Sequence, residues 1–478
     1  MKYLIITDYL DFVGGGFEPL GVLYIAAAVR DAGHEVRMVS DKYDTCADVI
    51  SSWEPDFVGY CVYTGYHLQL LELNRRLKER FKFHAVFGGP HATFFPEIIE
   101  DDGVDMVCRG EGEWAMVEMV DRIARGEEYW DVKNFWLKKN GEIIQNDVRA
   151  PEAEIENFPF AAHDMFYQFP EAGRNKIRVM VTARGCPYSC TYCYNYRIKE
   201  MYRGCGVKHL RHREVEGVIE EIKWIQKSWP IELIYFGTDC FTAKENWVLE
   251  FSEKYARQVR IPFTASTRPE TTTVAACEAL KEAGCVCVMM GIESGNQDVR
   301  LNLLNRRMTN EKIKEAADII HKADLNLFTF NMMAFPGETV EQALDTMSVN
   351  IKCKTDYTWV SLFQPYPRTK LGEYAQEKGY FDGDYDSLPE SWYNESALKN
   401  PQKKQLLRLR PLVSLGVEFP QFAWLIKYLI NLPLDRLYSF IWKVHKAYAY
   451  RYRVMPVKLS FIEIVRLGWS YLFDRSQK

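Results

Sequence analysis

No tract rich in Gly, Ser or Pro and no internal repeat breaks the 478-residue sequence, which argues against a disordered or solenoid architecture. The first apolar run is short and soon reaches Asp8 and Asp11, so it reads as a buried strand and not as a secretory leader, and a cytoplasmic location is expected. Paired cysteine spacings are scarce too. The 12 cysteines stand singly except for Cys186, Cys190 and Cys193, and the pair Cys285 and Cys287. That scatter argues against a disulfide framework and leaves the trio as a metal candidate. Isolated cysteines such as Cys46, Cys61 and Cys108 are expected to be buried small hydrophobes. Cys285 and Cys287 alternate along a strand with one residue between them, and burial is the favoured reading there as well.

With 47% hydrophobic and 26% charged residues the chain is globular, and its length calls for at least two cores. The net charge of −5 is uneven: from Pro401 to Lys478 there are 14 Lys/Arg against 4 Asp/Glu, a local +10 that leaves −15 for the remainder. Over residues 1–126, apolar runs near Lys2–Thr7, Glu35–Val39, Phe57–Val62, Ala85–Phe87 and Met106–Cys108 alternate with helical periods such as Leu20–Ala32 and Leu68–Phe81, which predicts a doubly wound, Rossmann-like parallel sheet. Its ligand loops should follow the strands, at Leu10–Leu20, Tyr63–Gly65, Gly88–His91 and Arg109–Glu113. Residues 127–176 read as a linker with a hairpin turned at Asn140-Gly141. From Ile177 six βα-type units follow, with strands near Ile177–Thr182, Leu233–Phe236, Phe263–Ser266, Val286–Gly291, Leu327–Met333 and Trp359–Gln364. They predict a partial (β/α) barrel over residues 177–379 with its chemistry at the strands' carboxyl ends. Residues 380–478 form a basic, aromatic-rich helical region.

The sequence Cys186-Pro187-Tyr188-Ser189-Cys190-Thr191-Tyr192-Cys193 follows the first strand of that barrel. Three thiolates on one short loop can converge on an iron–sulfur cluster, and with only three ligands one iron stays open, as in catalytic metal sites. The bland alternative is a structural zinc completed by His209 or His212.

The spacing, the aromatic Tyr192 and the succession Phe236-Gly237-Thr238-Asp239, Arg268-Pro269-Glu270, Gly291-Ile292-Glu293-Ser294-Gly295, Phe335-Pro336-Gly337-Glu338-Thr339 and Pro365-Tyr366-Pro367-Arg368-Thr369 resemble radical S-adenosylmethionine (SAM) enzymes with an N-terminal cobalamin-binding domain, from Met1 to about Gly379. The resemblance implies that Cys186, Cys190 and Cys193 ligate a [4Fe-4S] cluster whose open iron chelates SAM. It implies further that Tyr192 lies near the adenine and that Asp239, Arg268 and Glu293 meet the polar parts of SAM; a buried Arg268–Glu293 ion pair is the structural alternative. For cobalamin it implies contacts from Leu20, Thr64, Gly65, Gly88, Gly89, Pro90, His91, Gly110, Glu111 and Glu113. No Asp-x-His-x-x-Gly occurs, and neither His67 nor His91 has that spacing, so cobalamin is expected without a histidine ligand, or else the domain survives as a lid. Arg368 departs from the family's usual Gly.

The family points to methylation of an unactivated carbon of a small molecule or lipid, with an electron donor such as flavodoxin or ferredoxin. Radical cyclisation, oxidation or rearrangement is the alternative, and a non-catalytic cobalamin-binding protein with a structural cluster is the reading from another class. Methylthiolation is disfavoured, since no second three-cysteine set is present. In the tail, Leu406–Leu415, Phe422–Leu432 and Leu434–Tyr448 carry apolar and basic residues at helical spacing, and none is long and apolar enough to span a membrane. Two readings stand level: the helices lie on an anionic membrane surface, at the inner face, or they close the barrel's open side. No nucleic-acid motif accompanies the charge.

Overall fold

The computed structural model describes residues 1–7, 18–389, 394–458 and 463. Chain contacts divide it into two units: residues 1–175 with 197–211 and 385–388, and residues 176–196 with 212–384 and 389–478.

In the first unit β1 (Lys2–Thr7), β2 (Glu35–Ser40), β3 (Phe57–Cys61), β4 (His84–Gly88) and β5 (Met106–Cys108) form a parallel sheet in the order β2-β1-β3-β4-β5. Leu4, Ile6, Val58, Tyr60, Phe87 and Val107 are buried within it, the near-continuous apolar runs expected of strands covered on both faces. Chain order reverses between β1 and β3, which makes the carboxyl ends of those two strands the topological switch point of the sheet. The hairpin strands β6 (Phe135–Lys139) and β7 (Glu142–Gln145) extend the same sheet, β6 antiparallel to β5. Their turn has Asn140 at φ 53° and Gly141 at φ 85°, the doubly left-handed geometry that an Asn-Gly pair favours.

In the second unit β8 (Ile177–Met180), β9 (Leu233–Phe236), β10 (Phe263–Thr267), β11 (Cys285–Glu293), β12 (Asn326–Met333) and β13 (Tyr357–Leu362) pair in sequence order, all parallel. Helices such as Val215–Gln226, Glu245–Gln258 and Asn310–Lys322 intervene. This is the six-stranded curled half-barrel anticipated from the periodicity. Cys285 and Cys287 are 3% and 1% exposed on β11, so burial suffices to explain them.

Of the two readings of the tail, packing answers for its first helix. Lys403–Glu418 buries Leu406, Leu409, Leu412, Val413 and Val417 against Met333, Val360, Leu362 and the helix residues Ala343 and Met347. Those partners lie on and beside β12 and β13. No helix among the described residues is long and apolar enough to cross a membrane.

Candidate active site

The cysteine loop leaves β8 and is pinned by a segment far away in sequence. Thr191 donates its hydroxyl to the Leu303 carbonyl at 2.6 Å and its N–H to Leu304 at 3.2 Å, and Asn305 donates to the Ser189 carbonyl at 2.8 Å. Within the loop the Cys193 N–H donates to the Cys190 carbonyl at 3.2 Å. Cys190 is buried, whereas Cys186 and Cys193 are half-buried.

Two guanidinium groups face the Cys190 sulfur. Arg268 Nη1 lies 3.3 Å from Sγ and Arg306 Nη1 lies 3.8 Å from it. Arg268, just past β10, also stacks over the Tyr188 ring at 3.5 Å and clamps Glu270 with Nη2 at 2.7 Å and Nε at 3.2 Å. Burial opposes ionisation of Glu270, but the Arg268 hydrogen bonds outweigh it and hold the carboxyl below its ordinary range. Arg306 meets the Tyr192 hydroxyl at 3.2 Å and Glu293 at 3.5 Å. Arg268 and Glu293, weighed as an ion pair with each other, thus have other partners: Arg268 takes Glu270 and Glu293 takes Arg306. Glu293 closes β11 at φ 71°, a left-handed conformation unusual for this residue type, beside a register shift between β11 and β12.

Asp239, after β9, accepts from Asn195 Nδ2 at 2.9 Å, and the same nitrogen lies 3.7 Å from the Cys193 sulfur. Burial raises the Asp239 carboxyl above its usual range, partly offset by Asn195. Burial likewise pushes the Cys186 thiol up to about 12 and Cys193 to about 11. Both hold their protons at neutral pH in this state, and a metal would have to displace them.

The donor set fits an iron–sulfur cluster. Three thiols share one loop, and the cationic groups at Cys190 would balance thiolate charge. Among the described residues no group of three or more His, Cys, Asp or Glu side chains is already gathered to hold a metal ion, the cysteine trio included. His212, weighed as a zinc ligand, packs its ring 5.6 Å from Trp247. Arg306, Glu270, Asn195 and Tyr188 were missed in the sequence. Glu270 had a signal in its place beside Arg268, and Tyr188 and Asn195 had theirs within and just after the cysteine loop, whereas Arg306 had none.

In the first unit the candidate cobalamin residues gather at the carboxyl edge of the sheet. Leu20 opens the helix Leu20–Asp31; the preceding segment 8–17, most of the loop expected at Leu10–Leu20, lies outside the described residues. Gly88-Gly89-Pro90-His91, expected as a loop, is instead the cap and first turn of the helix Gly89–Phe94, with Pro90 in the first turn. Gly89, at φ 92°, must be glycine for internal reasons: a Cβ there would lie 2.9 Å from the Val62 nitrogen. A Cβ on Gly110 would strike the Tyr202 ring and hydroxyl. These glycines therefore serve the fold before any ligand.

Thr64 Oγ1 lies 2.9 Å from His91 Nδ1, and the His91 ring stacks on His67 at 4.1 Å. Gly65 stands at φ 99° beside Thr64. Burial lowers the His91 pKa to about 3, so the ring is neutral. The Glu111 carboxylate accepts from Arg211, and the Glu111 N–H donates to the Tyr202 hydroxyl at 2.8 Å. Glu113 is buried at the start of the helix Glu113–Ala124. The general rule for doubly wound sheets puts a ligand at the switch point between β1 and β3, and Thr64 and Gly65 follow β3 there.

Half-barrel, three-cysteine loop and guanidinium-lined sulfur define a radical SAM enzyme. The Radical SAM superfamily model matches residues 180–349 and the B12 binding domain model matches residues 6–120. The chain thus carries, in order, the two domains that mark cobalamin (B12)-binding-domain radical SAM proteins. It is 29% identical over 377 residues to an uncharacterized methyltransferase of Pyrococcus horikoshii, covering 76% of this chain and 79% of the relative. It is 21% identical over 391 residues to the anaerobic magnesium-protoporphyrin IX monomethyl ester cyclase of Rubrivivax gelatinosus, covering 77% and 68%. In fold it is similar to the radical S-adenosylmethionine methyltransferase TsrM from Kitasatospora setae, solved with cobalamin and a [4Fe-4S] cluster. The TM-score is 0.64 at 15% identity, over 79% of this chain and 75% of that one.

Proposed function

We propose that the protein is a cobalamin-dependent C-methyltransferase in which Cys186, Cys190 and Cys193 hold the [4Fe-4S] cluster. The observation that carries this reading is the Cys190 sulfur facing Arg268 and Arg306 on a loop at the carboxyl end of the half-barrel's first strand. Bound there, the cluster supplies the electron that cleaves SAM to a 5′-deoxyadenosyl radical, and the corrinoid supplies a methyl group.

The chain's own residues bind, orient and exclude water. Asp239, Arg268 and Glu293 stand at successive strand ends and would receive the polar groups of SAM, with Tyr192 beside the adenine. Asn195 bridges Asp239 to Cys193 and would hold both in register. Leu20, Thr64, Gly65, Gly88, Gly89, Pro90, His91, Gly110, Glu111 and Glu113 would border the corrin. A histidine ligand is disfavoured because His91 is buried between Thr64, His67 and Phe95, whose ring is 5.1 Å away. The reading divides the chain at residues 126, 176 and 379. It takes flavodoxin or ferredoxin as donor, a small molecule or lipid as acceptor, and the C-terminal region as a peripheral membrane contact.

The test is anaerobic reconstitution with iron, sulfide and cobalamin, followed by SAM carrying a deuterated methyl group and a low-potential reductant. Formation of 5′-deoxyadenosine, abolished by Cys193→Ala, and passage of the label to an acceptor are expected. Absence of 5′-deoxyadenosine would refute the reading. Similarity to the Rubrivivax cyclase favours a second one, radical cyclisation without methyl transfer, for which the product would gain no label.

A further inference from the structure

A helix on a protein surface ordinarily hides one apolar stripe and shows water a polar face. The helix Asp435–Ala449 has two apolar stripes. Tyr438, Trp442 and Ala449 are buried on its inner side. Leu437, Phe440, Ile441, Val444 and Tyr448 recur at three- and four-residue spacing on the other side, between 38% and 53% exposed. Tyr452 continues that stripe, its ring 5.1 Å from Tyr448. The preceding turn and short helices expose Phe419, Phe422, Trp424, Tyr428, Leu432 and Leu434. Among the described residues 17 large hydrophobic side chains are exposed, and 12 of them fall between Phe419 and Tyr452. Such a concentration marks an interaction surface.

The charge around it selects the partner. From Phe419 to Lys458 there are seven Lys/Arg and one Asp; Asp435 is paired with Arg408 at 3.0 Å, Arg453 with Glu418 at 2.6 Å, and Lys446 is packed over the Trp359 ring at 4.5 Å. Lys427 and Arg436 are exposed within the apolar stretch. A second copy of the chain is a poor partner for two reasons. Its other exposed large hydrophobics, Leu68, Leu249, Val274, Leu301 and Tyr374, are scattered along the sequence and offer no matching apolar run. Self-pairing of the same face would set like charges against one another. A bilayer with acidic headgroups satisfies both features, since Trp, Tyr, Phe and Leu enter the interface while Lys and Arg meet the phosphates.

We infer that the outer face of Asp435–Ala449, with the Phe419–Leu434 segment before it, docks the protein on an anionic lipid surface. The inference deepens the peripheral-contact reading of the C-terminal region and is independent of methyl transfer.

The experiment is flotation of the full-length reconstituted protein with phosphatidylcholine vesicles, with and without phosphatidylglycerol. Flotation with the acidic vesicles, weakened by salt, is expected. Phe440→Ser with Val444→Ser, and separately Lys427→Glu with Arg436→Glu, should each lower the bound fraction by about tenfold while leaving the urea midpoint unchanged. Failure to float with acidic vesicles overturns the inference, as does flotation indifferent to both variants. A dimer by light scattering that the serine variant turns into a monomer would assign the face to a second copy. Flotation only by a chain ending at Lys458 would assign it to residues 459–478. Cleavage of SAM is measured on the same samples, so loss of lipid binding and loss of chemistry are told apart.

Discussion

Arg306 joins more of the site than any residue the motifs pointed to. It is 3% exposed and meets Tyr192, the Cys190 sulfur, Glu293 and the Gly291 carbonyl. Removing one member of a buried pair strands the other's charge. Arg306→Met should therefore cost about 3–5 kcal/mol in urea unfolding, and adding Glu293→Gln should recover part of that loss. If the double variant is no more stable than the single one, the pair is not coupled. Arg368 offers a test of opposite sign. It stands at φ 56°, where a residue with a Cβ pays roughly 1 kcal/mol that glycine does not, which accounts physically for the family's glycine at this position. Arg368→Gly should exceed Arg368→Ala in stability by about that amount, since both lose the side chain's own contacts and only glycine relieves the strain. The cysteine trio was visible because its spacing is local, whereas Asp239, Arg268 and Glu293 came from the family resemblance alone, at or just past the ends of strands that periodicity reveals. Arg306 was not, since it lies 116 residues from Cys190 in sequence, past a turn with no strand to announce it.

At the scale of elements, the segment between β12 and the helix Val340–Lys352 stores a pH dependence. Glu338 is 3% exposed; one carboxyl oxygen accepts from the Phe335 N–H at 3.2 Å and the other has no hydrogen-bond partner. Burial raises its pKa to about 8 from an ordinary 4.5. The folded chain then keeps a proton that the unfolded chain releases. Its contribution to stability is fully present below the unfolded value of 4.5 and is lost as pH climbs through about 8. Urea midpoints measured across that interval should fall with pH, and Glu338→Gln should flatten the slope and be the more stable form at the alkaline end. An unchanged slope in the variant would place the titration elsewhere. Elements of this kind were readable when their signal was local: six barrel strands from apolar runs, and the hairpin from Asn140-Gly141. The hairpin's membership of the first sheet was not, because β5 supplies its pairing. Gly88–His91 resembled a loop because two glycines precede a proline; the structure uses them as a helix cap.

For the whole molecule, the basic tail is two things in succession. Its first helix belongs to the barrel unit: Leu406, Leu409, Leu412, Val413 and Val417 share a core with Met333, Val360 and Leu362. Burying side chains of this kind contributes about 1.5–3 kcal/mol each, so their removal would uncover β12 and β13 along an apolar face. The outer stripe of Asp435–Ala449 has no such packing to lose. Helical period could not separate these roles, because both stretches mix apolar and basic residues at the same spacing, although the aromatic side chains fall only in the second; the packing partner distinguishes them. A chain ended at Asn400 should accordingly bind a hydrophobic dye, lose its cooperative unfolding transition and aggregate, whereas Phe440→Ser with Val444→Ser should unfold like the parent. Circular dichroism melts with dye fluorescence on the three proteins decide it. Equal damage from truncation and surface substitution would mean that the outer stripe is core after all, and a soluble, cooperatively folding truncation would mean that the half-barrel needs no cover from Lys403–Glu418.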